Sequence, residues 1–195
     1  LAGAQNLADF LELVQATPLS ADPQVLGKVA GSLGSLYQQY AGDAVRQQAF
    51  GRYAMARLAP MMAQTGWEAR AGEASSVATL RAQLIAILGD MGEPGVLAEA
   101  RRRYTASEQA GEQNAAAMPA PLRRAILGVV AQHADSATWE QLHARAREEK
   151  TPLIKNQLYD LLASSDDTAL AQRALALALT DEPGVTNSPA MISRV

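Results

Sequence analysis

His133 and His143 are the only imidazoles in a 195-residue chain that has no cysteine. Two histidines on one helix can share a metal ion at i, i+4 spacing, with a glutamate between them serving as general base in a His-Glu-x-x-His arrangement. These two are ten residues apart, have no such glutamate, and are separated by an Asp135-Ser136 helix cap, so they are not expected to form a metal site. His133 is expected instead to lie against the dipole at a helix C-terminus. The absence of cysteine excludes thiol catalysis, disulfides and cysteine-rich zinc sites. No serine lies in a Gly-x-Ser-x-Gly elbow. Gly27, Gly31 and Gly34 do not make a phosphate loop, because no Gly-Lys-Ser/Thr follows at the right spacing and no strand precedes them. Small residues that let helices approach closely account for them better. Arg101-Arg102-Arg103 is the one basic cluster, but adjacent helical residues point about 100° apart. The reading is therefore a solvated face in the last turn of a helix, where positive charge is favourable. Trp67 and Trp139 read as packing residues.

Three cations remain that recur in register. Arg81, Arg123 and Lys155 each follow the first apolar residue of a similar segment. A basic ladder of this kind suits a peptide carboxylate. The simpler alternative is that each cation pairs with an acid in the neighbouring repeat and holds the stack together.

The elements that carry these residues are helices. Alanine (40) and leucine (24) make up about a third of the chain, against 15 isoleucine plus valine. Ala and Leu lead the helix propensities, whereas β-branched residues favour strands. Caps and stops divide the chain into helices near 5–16, 23–40, 44–65, 73–88, 94–105, 121–134, 136–149, 152–164, 167–180 and 189–195. The marks are Asp22-Pro23, Asp43, Asp135, Thr151-Pro152 and Ser188-Pro189 at starts, with Gly66 and Gly89 as stops. An Ala/Gly/Gln-rich stretch at 106–120 reads as a surface loop or a weak extra turn of helix. No apolar run approaches the roughly 20 residues a membrane span needs. A net charge of −3 gives no electrostatic reason to expect nucleic acid or an anionic membrane as partner.

The segments repeat. Leu80-Arg81-x-x-Leu84-x-x-Ile87-Leu88 returns 42 residues later as Leu122-Arg123-x-x-Ile126-x-x-Val129-Val130. It returns after a further 32 as Ile154-Lys155-x-x-Leu158-x-x-Leu161-Leu162. Each is followed by an acid (Glu93, Asp135, Asp167) and a second apolar helix. Helix pairs at this period are the signature of an α-solenoid of the HEAT/ARM kind, whose curved surface binds rather than catalyses. The expected organisation is one all-α domain over residues 1–195, with N-terminal helices in 1–66 and helix-pair repeats in 67–195.

An ordered string of short words carries a more specific likeness. It runs Phe50 to Tyr53, Leu58, Gly66-Trp67-Glu68, Glu73, Leu80-Arg81, Gly89-Asp90 and Ala100 to Tyr104. Leu122-Arg123, Trp139-x-x-Leu142, Glu149-Lys150, Leu158 to Ala163, Asp166-Asp167, Leu170, Arg173-Ala174-Leu175, Ala178-Leu179 and Asp181-Glu182 continue it. This string resembles the C-terminal helical domain of M1-family zinc aminopeptidases, well over residues 45–195 and loosely before. The resemblance implies helix pairs packed over a catalytic domain of the same parent chain. Such a domain closes a large chamber and contacts the distal end of a peptide substrate. Arg81, Arg123, Lys155 and Tyr159 are the expected peptide contacts. It also implies that zinc and its His-Glu-x-x-His ligands, with a Gly-x-Met-Glu-Asn loop, belong to an upstream domain. This chain contains neither motif, so no catalytic or zinc residue is carried over and no cofactor is expected here. The chain begins without Met and ends on an apolar helix, Pro189 to Val195, and so reads as a C-terminal fragment of a longer polypeptide. The alternative is a free-standing HEAT-like scaffold that binds a protein partner.

Overall fold

Short acidic side chains start the helices where the sequence marks them. Asp22, Asp43, Asp135 and Asp167 each accept a hydrogen bond from a first-turn backbone N–H (Gln24, Arg46, Thr138, and both Ala169 and Leu170). Such a bond satisfies a donor that the helix itself cannot. Glu93 does the same for Val96, at 2.6 Å. The computed structural model describes residues 6–110 and 118–195, and among these there are ten helices and no strand. They are α1 Leu7–Ala16, α2 Pro23–Gln39, α3 Ala44–Thr65, α4 Ser75–Asp90 and α5 Pro94–Ala110. The rest are α6 Ala120–Gln132, α7 Ser136–Glu148, α8 Pro152–Leu162, α9 Thr168–Ala178 and α10 Asn187–Arg194. The all-α reading holds.

Three boundaries differ from expectation in ways that matter. Gly89 does not stop α4; it lies buried inside the helix, and the chain turns at Gly92, whose φ of 77° favours a residue without Cβ. Gly66, with φ 69°, does end α3 as expected. α5 runs on to Ala110 instead of ending near 105, so Arg101–Arg103 lie in mid-helix; the rest of the expected loop, 111–117, lies outside the described residues. Ser188-Pro189 does not open α10, which begins at Asn187.

The chain gathers into two compact units, Leu1–Val96 and Leu97–Val195. In the first, α2, α3 and α4 pack on one another in all three pairs. Their shared core holds Leu33 of α2, Leu58 and Met61 of α3, and Leu84, Ile85 and Leu88 of α4. Burying one such side chain stabilises by about 1.5–3 kcal/mol. Close approach of α2 and α4 depends on three glycines of α2. A Cβ at Gly27 or Gly31 would meet the Gln83 amide at 3.0 Å, and one at Gly34 would meet Ile87 at 3.3 Å. α1 buries only Val14, and Arg57 of α3 holds its C-terminal end by donating to the carbonyls of Val14, Gln15 and Thr17.

In the second unit, α6 packs on α7 and α8, α7 on α8, α8 on α9 and α10, and α9 on α10. The repeated apolar stripe accounts for this order. Ile126 and Val129 of α6, Leu142 of α7, Leu158 and Leu162 of α8 and Met191 of α10 are all buried. Trp139 joins that core, and its indole N–H donates to the Leu162 carbonyl at 3.0 Å.

Candidate functional site

The register-related residues have very different surroundings. Arg81 rises from α4 and is only 2% exposed. Its two terminal nitrogens donate to the two oxygens of Glu73 at 2.8 and 2.6 Å, its Nε donates to the Gly66 carbonyl at 2.8 Å, and one terminal nitrogen also reaches the Thr65 carbonyl at 3.3 Å. The fork matches the carboxylate edge-on, the strong bidentate geometry. The Arg81 hydrogen bonds hold the Glu73 carboxyl below its usual range. Arg81 thus ties α4 to the segment that follows α3, which is a structural role. Its partner is in the preceding connection of its own unit.

Arg123 on α6 is exposed and Lys155 on α8 is half-buried. Both cations stand on the surface of the second unit, and among the described residues no carboxylate neutralises either. Tyr159, one turn beyond Lys155, is fully buried. Its hydroxyl donates to Glu182 at 3.0 Å. Burial, and then the adjacent carboxylate, push its pKa up to about 12, so it remains a donor throughout the ordinary pH range.

His143 reaches the same carboxylate oxygen, with its Nε2 2.6 Å from Glu182 Oε1. The imidazole lies against the Trp139 ring at 5.2 Å, and the Arg173 guanidinium covers that indole at 4.4 Å while pairing with Glu140. His133 caps the C-terminus of α6, with its Nδ1 3.5 Å from Asp166 and its carbonyl accepting from Arg101. The two histidines therefore have separate partners. Among the described residues no group of three or more His, Asp or Glu side chains gathers as metal ligands, so these residues do not fit a zinc ion. No helix among them is long and apolar enough to cross a membrane.

The arginine cluster departs from the solvated-face reading. Arg102 is exposed, but Arg103 is only 4% exposed, and both donate to Glu99, at 2.6 and 2.8 Å through their Nε atoms. The signal is local: an acid four residues before an arginine on a helix brings the two together. Glu182 carries no such mark, being a loop acid outside the repeat pattern. Two open grooves are formed among the described residues. One runs along α1, α2 and α4 past Phe10, Lys28, Ser32 and Gln83. The other lies between the end of α9 and α10, with Leu179, Val185 and Ile192 exposed along it.

These features define an all-helical module among the described residues. The chain belongs to the family of ERAP1-like C-terminal domains, whose model matches residues 1–195. It is 28% identical over 191 residues to Aminopeptidase M1 of Arabidopsis thaliana, an alignment covering 93% of this chain and 21% of that protein. It is 25% identical over 188 residues to Aminopeptidase M1-A of Oryza sativa subsp. japonica, again over 93% of this chain and 21% of the relative. The chain spans about a fifth of the length of the curated relatives it matches. The resemblance to M1 aminopeptidases read from its residues is borne out.

Proposed function

We propose that this chain is the non-catalytic C-terminal domain of an M1 zinc metallo-aminopeptidase. Its helix pairs form a solenoid that packs over the catalytic domain of the same parent and closes the substrate chamber. The observation that carries this reading is the family match over all of residues 1–195, together with relatives aligned to 93% of this chain over a fifth of their own length. Peptide hydrolysis and its zinc belong, in this reading, to the part of the parent outside this chain.

Peptide contact would fall on Arg123 and Lys155, whose cations stand at the surface. Tyr159 would support that surface from beneath through Glu182, and Arg81 would brace the wall of its own unit through Glu73. A carboxylate is the chemical group such cations recognise.

The test measures binding of a fluorescent peptide with a free C-terminus and of its amidated twin, alongside hydrolysis of an aminoacyl substrate with added zinc. The chain alone should show no turnover, and the free-acid peptide should bind more tightly. Arg123→Ala with Lys155→Ala should abolish the difference. Zinc-dependent turnover by the chain overturns the non-catalytic reading. Equal binding of the two peptides, unmoved by the substitutions, removes the peptide contact and leaves the chamber wall.

A further inference from the structure

Glu182 lies in the connection from α9 to α10, and a single oxygen of its carboxylate receives donors from two other helices. Nε2 of His143 on α7 is 2.6 Å from Oε1, and the hydroxyl of Tyr159 on α8 is 3.0 Å from the same atom. One residue on, the carbonyl of Pro183 accepts from the side-chain amide of Asn187 at 2.8 Å, and that same amide nitrogen donates to Asn156 of α8 at 2.9 Å. Gly184, with φ 81°, then turns the chain into α10. The first turn of α10 is therefore fastened through a short run of polar contacts that begins at Glu182, and one turn further on Met191 is fully buried.

We propose that Glu182 is the pin of a proton-sensitive clasp: while ionised it holds the 179–186 connection and the start of α10 against α7 and α8, and on taking up a proton it releases them. The charge of the carboxylate strengthens both hydrogen bonds that converge on its one oxygen, and a protonated carboxyl has lost that charge. Tyr159 cannot compensate, because it donates at any ordinary pH. The charged and titratable groups around the pin are few. His143 and Arg147 face it from α7 and Tyr159 from α8. Glu140 on α7 acts on His143, while Arg173 of α9 is engaged by Glu140 and the Trp139 ring. Burial raises the Glu182 carboxyl, but the bonds from His143 and Tyr159, with the positive charge nearby, outweigh it and hold the group below its ordinary range. With the folded value depressed, the clasp contributes fully above the unfolded carboxylate pKa of about 4.3 and is lost as pH falls through the folded value. Opening the clasp would widen the apolar groove between α9 and α10, where Leu179, Val185 and Ile192 are exposed.

Hydrogen-exchange protection factors, corrected for intrinsic rates, test this in the 195-residue chain. Amides of 187–194 are compared with those of α6 as an internal reference, at neutral pH and at about pH 3.5, well into the carboxylate range. Glu182→Gln at neutral pH should lower protection of α10 about fivefold while α6 is unchanged. The wild type should lose a similar factor selectively in α10 on acidification, and the Glu182→Gln variant should show no further selective loss. Asp181→Asn, a change at the neighbouring exposed carboxylate, should leave α10 as in the wild type. Three results overturn the clasp. One is unchanged α10 protection in Glu182→Gln, another is an equal effect of Asp181→Asn, and the third is acid loss that strikes α6 and α10 alike.

Discussion

The two units solve the same problem with opposite charges at the centre. In the first, a cation is the hub: Arg81 sits almost fully buried and gathers Glu73 with the carbonyls of Thr65 and Gly66. In the second, an anion is the hub: Glu182 is about a third exposed and gathers His143 and Tyr159. Both fasten a non-helical connection to a neighbouring helix. The difference lies in which partner can change state. A guanidinium keeps its charge at any pH a protein survives and fills its fork with acceptors. A carboxylate at the edge of solvent can be neutralised. The hub of the first junction therefore keeps its charge in acid, where only its partner Glu73 is neutralised, whereas the second junction loses the charge of the hub itself.

The largest test of that contrast removes the buried cation. Arg81→Ala leaves Glu73 only 9% exposed without its fork and strips two carbonyls of their donor. Thermal unfolding followed by circular dichroism should drop by on the order of 10 °C. Arg81→Lys should fall between, because an ammonium cannot reproduce the bidentate contact.

The next test is acid. Glu73 and Glu182 are both held below their usual range. With both folded values depressed, both junctions contribute above about pH 4.3 and weaken as pH falls through the folded values. Arg81→Ala should flatten the acid limb of a stability-versus-pH curve, because Glu73 then loses the bonds that depress its pKa. An unchanged acid limb would assign acid sensitivity to other carboxylates.

Smaller effects should follow at the tyrosines. Tyr159→Phe removes one hydrogen bond to a charged acceptor and should cost about 1 kcal/mol by denaturant melts, with the loss shrinking in acid as Glu182 is neutralised. Tyr104→Phe should cost nothing measurable or stabilise slightly. That hydroxyl is buried without a hydrogen-bond partner among the described residues, and burial leads the causes that push its pKa up to about 12. A loss as large as that of Tyr159→Phe would mean that ordered water holds the Tyr104 hydroxyl.

Much of this scaffold is legible in the amino-acid sequence alone. Side chains that cap by forming bonds over two or three residues, such as Asp22, Asp43, Asp135 and Asp167, leave a local mark, and each can be read from it. Stops are harder. Gly89 and Gly92 are one turn apart and equally good as words, and only the packing of α4 shows which residue turns the chain. The candidate site is less legible still. The repeat register puts Arg81, Arg123 and Lys155 on equal terms, yet burial depends on what the preceding connection brings. For Arg81 it brings Glu73 and two carbonyls, and no such junction covers Arg123. The contacts of Glu182 are silent in the sequence because its partners are 39 and 23 residues away. No periodicity links such distant positions.

The slender attachment of α1 has a consequence for the lifetime of the native chain. One buried valine and one guanidinium on three carbonyls make a weak local fastening, so this segment will open many times for each global unfolding. A protease present at low dose will therefore cut the turn at residues 17–22 in its open form, and the rate of that cut will follow the small local opening free energy instead of the stability of the α2–α4 core. Arg57 thus sets how often this segment opens.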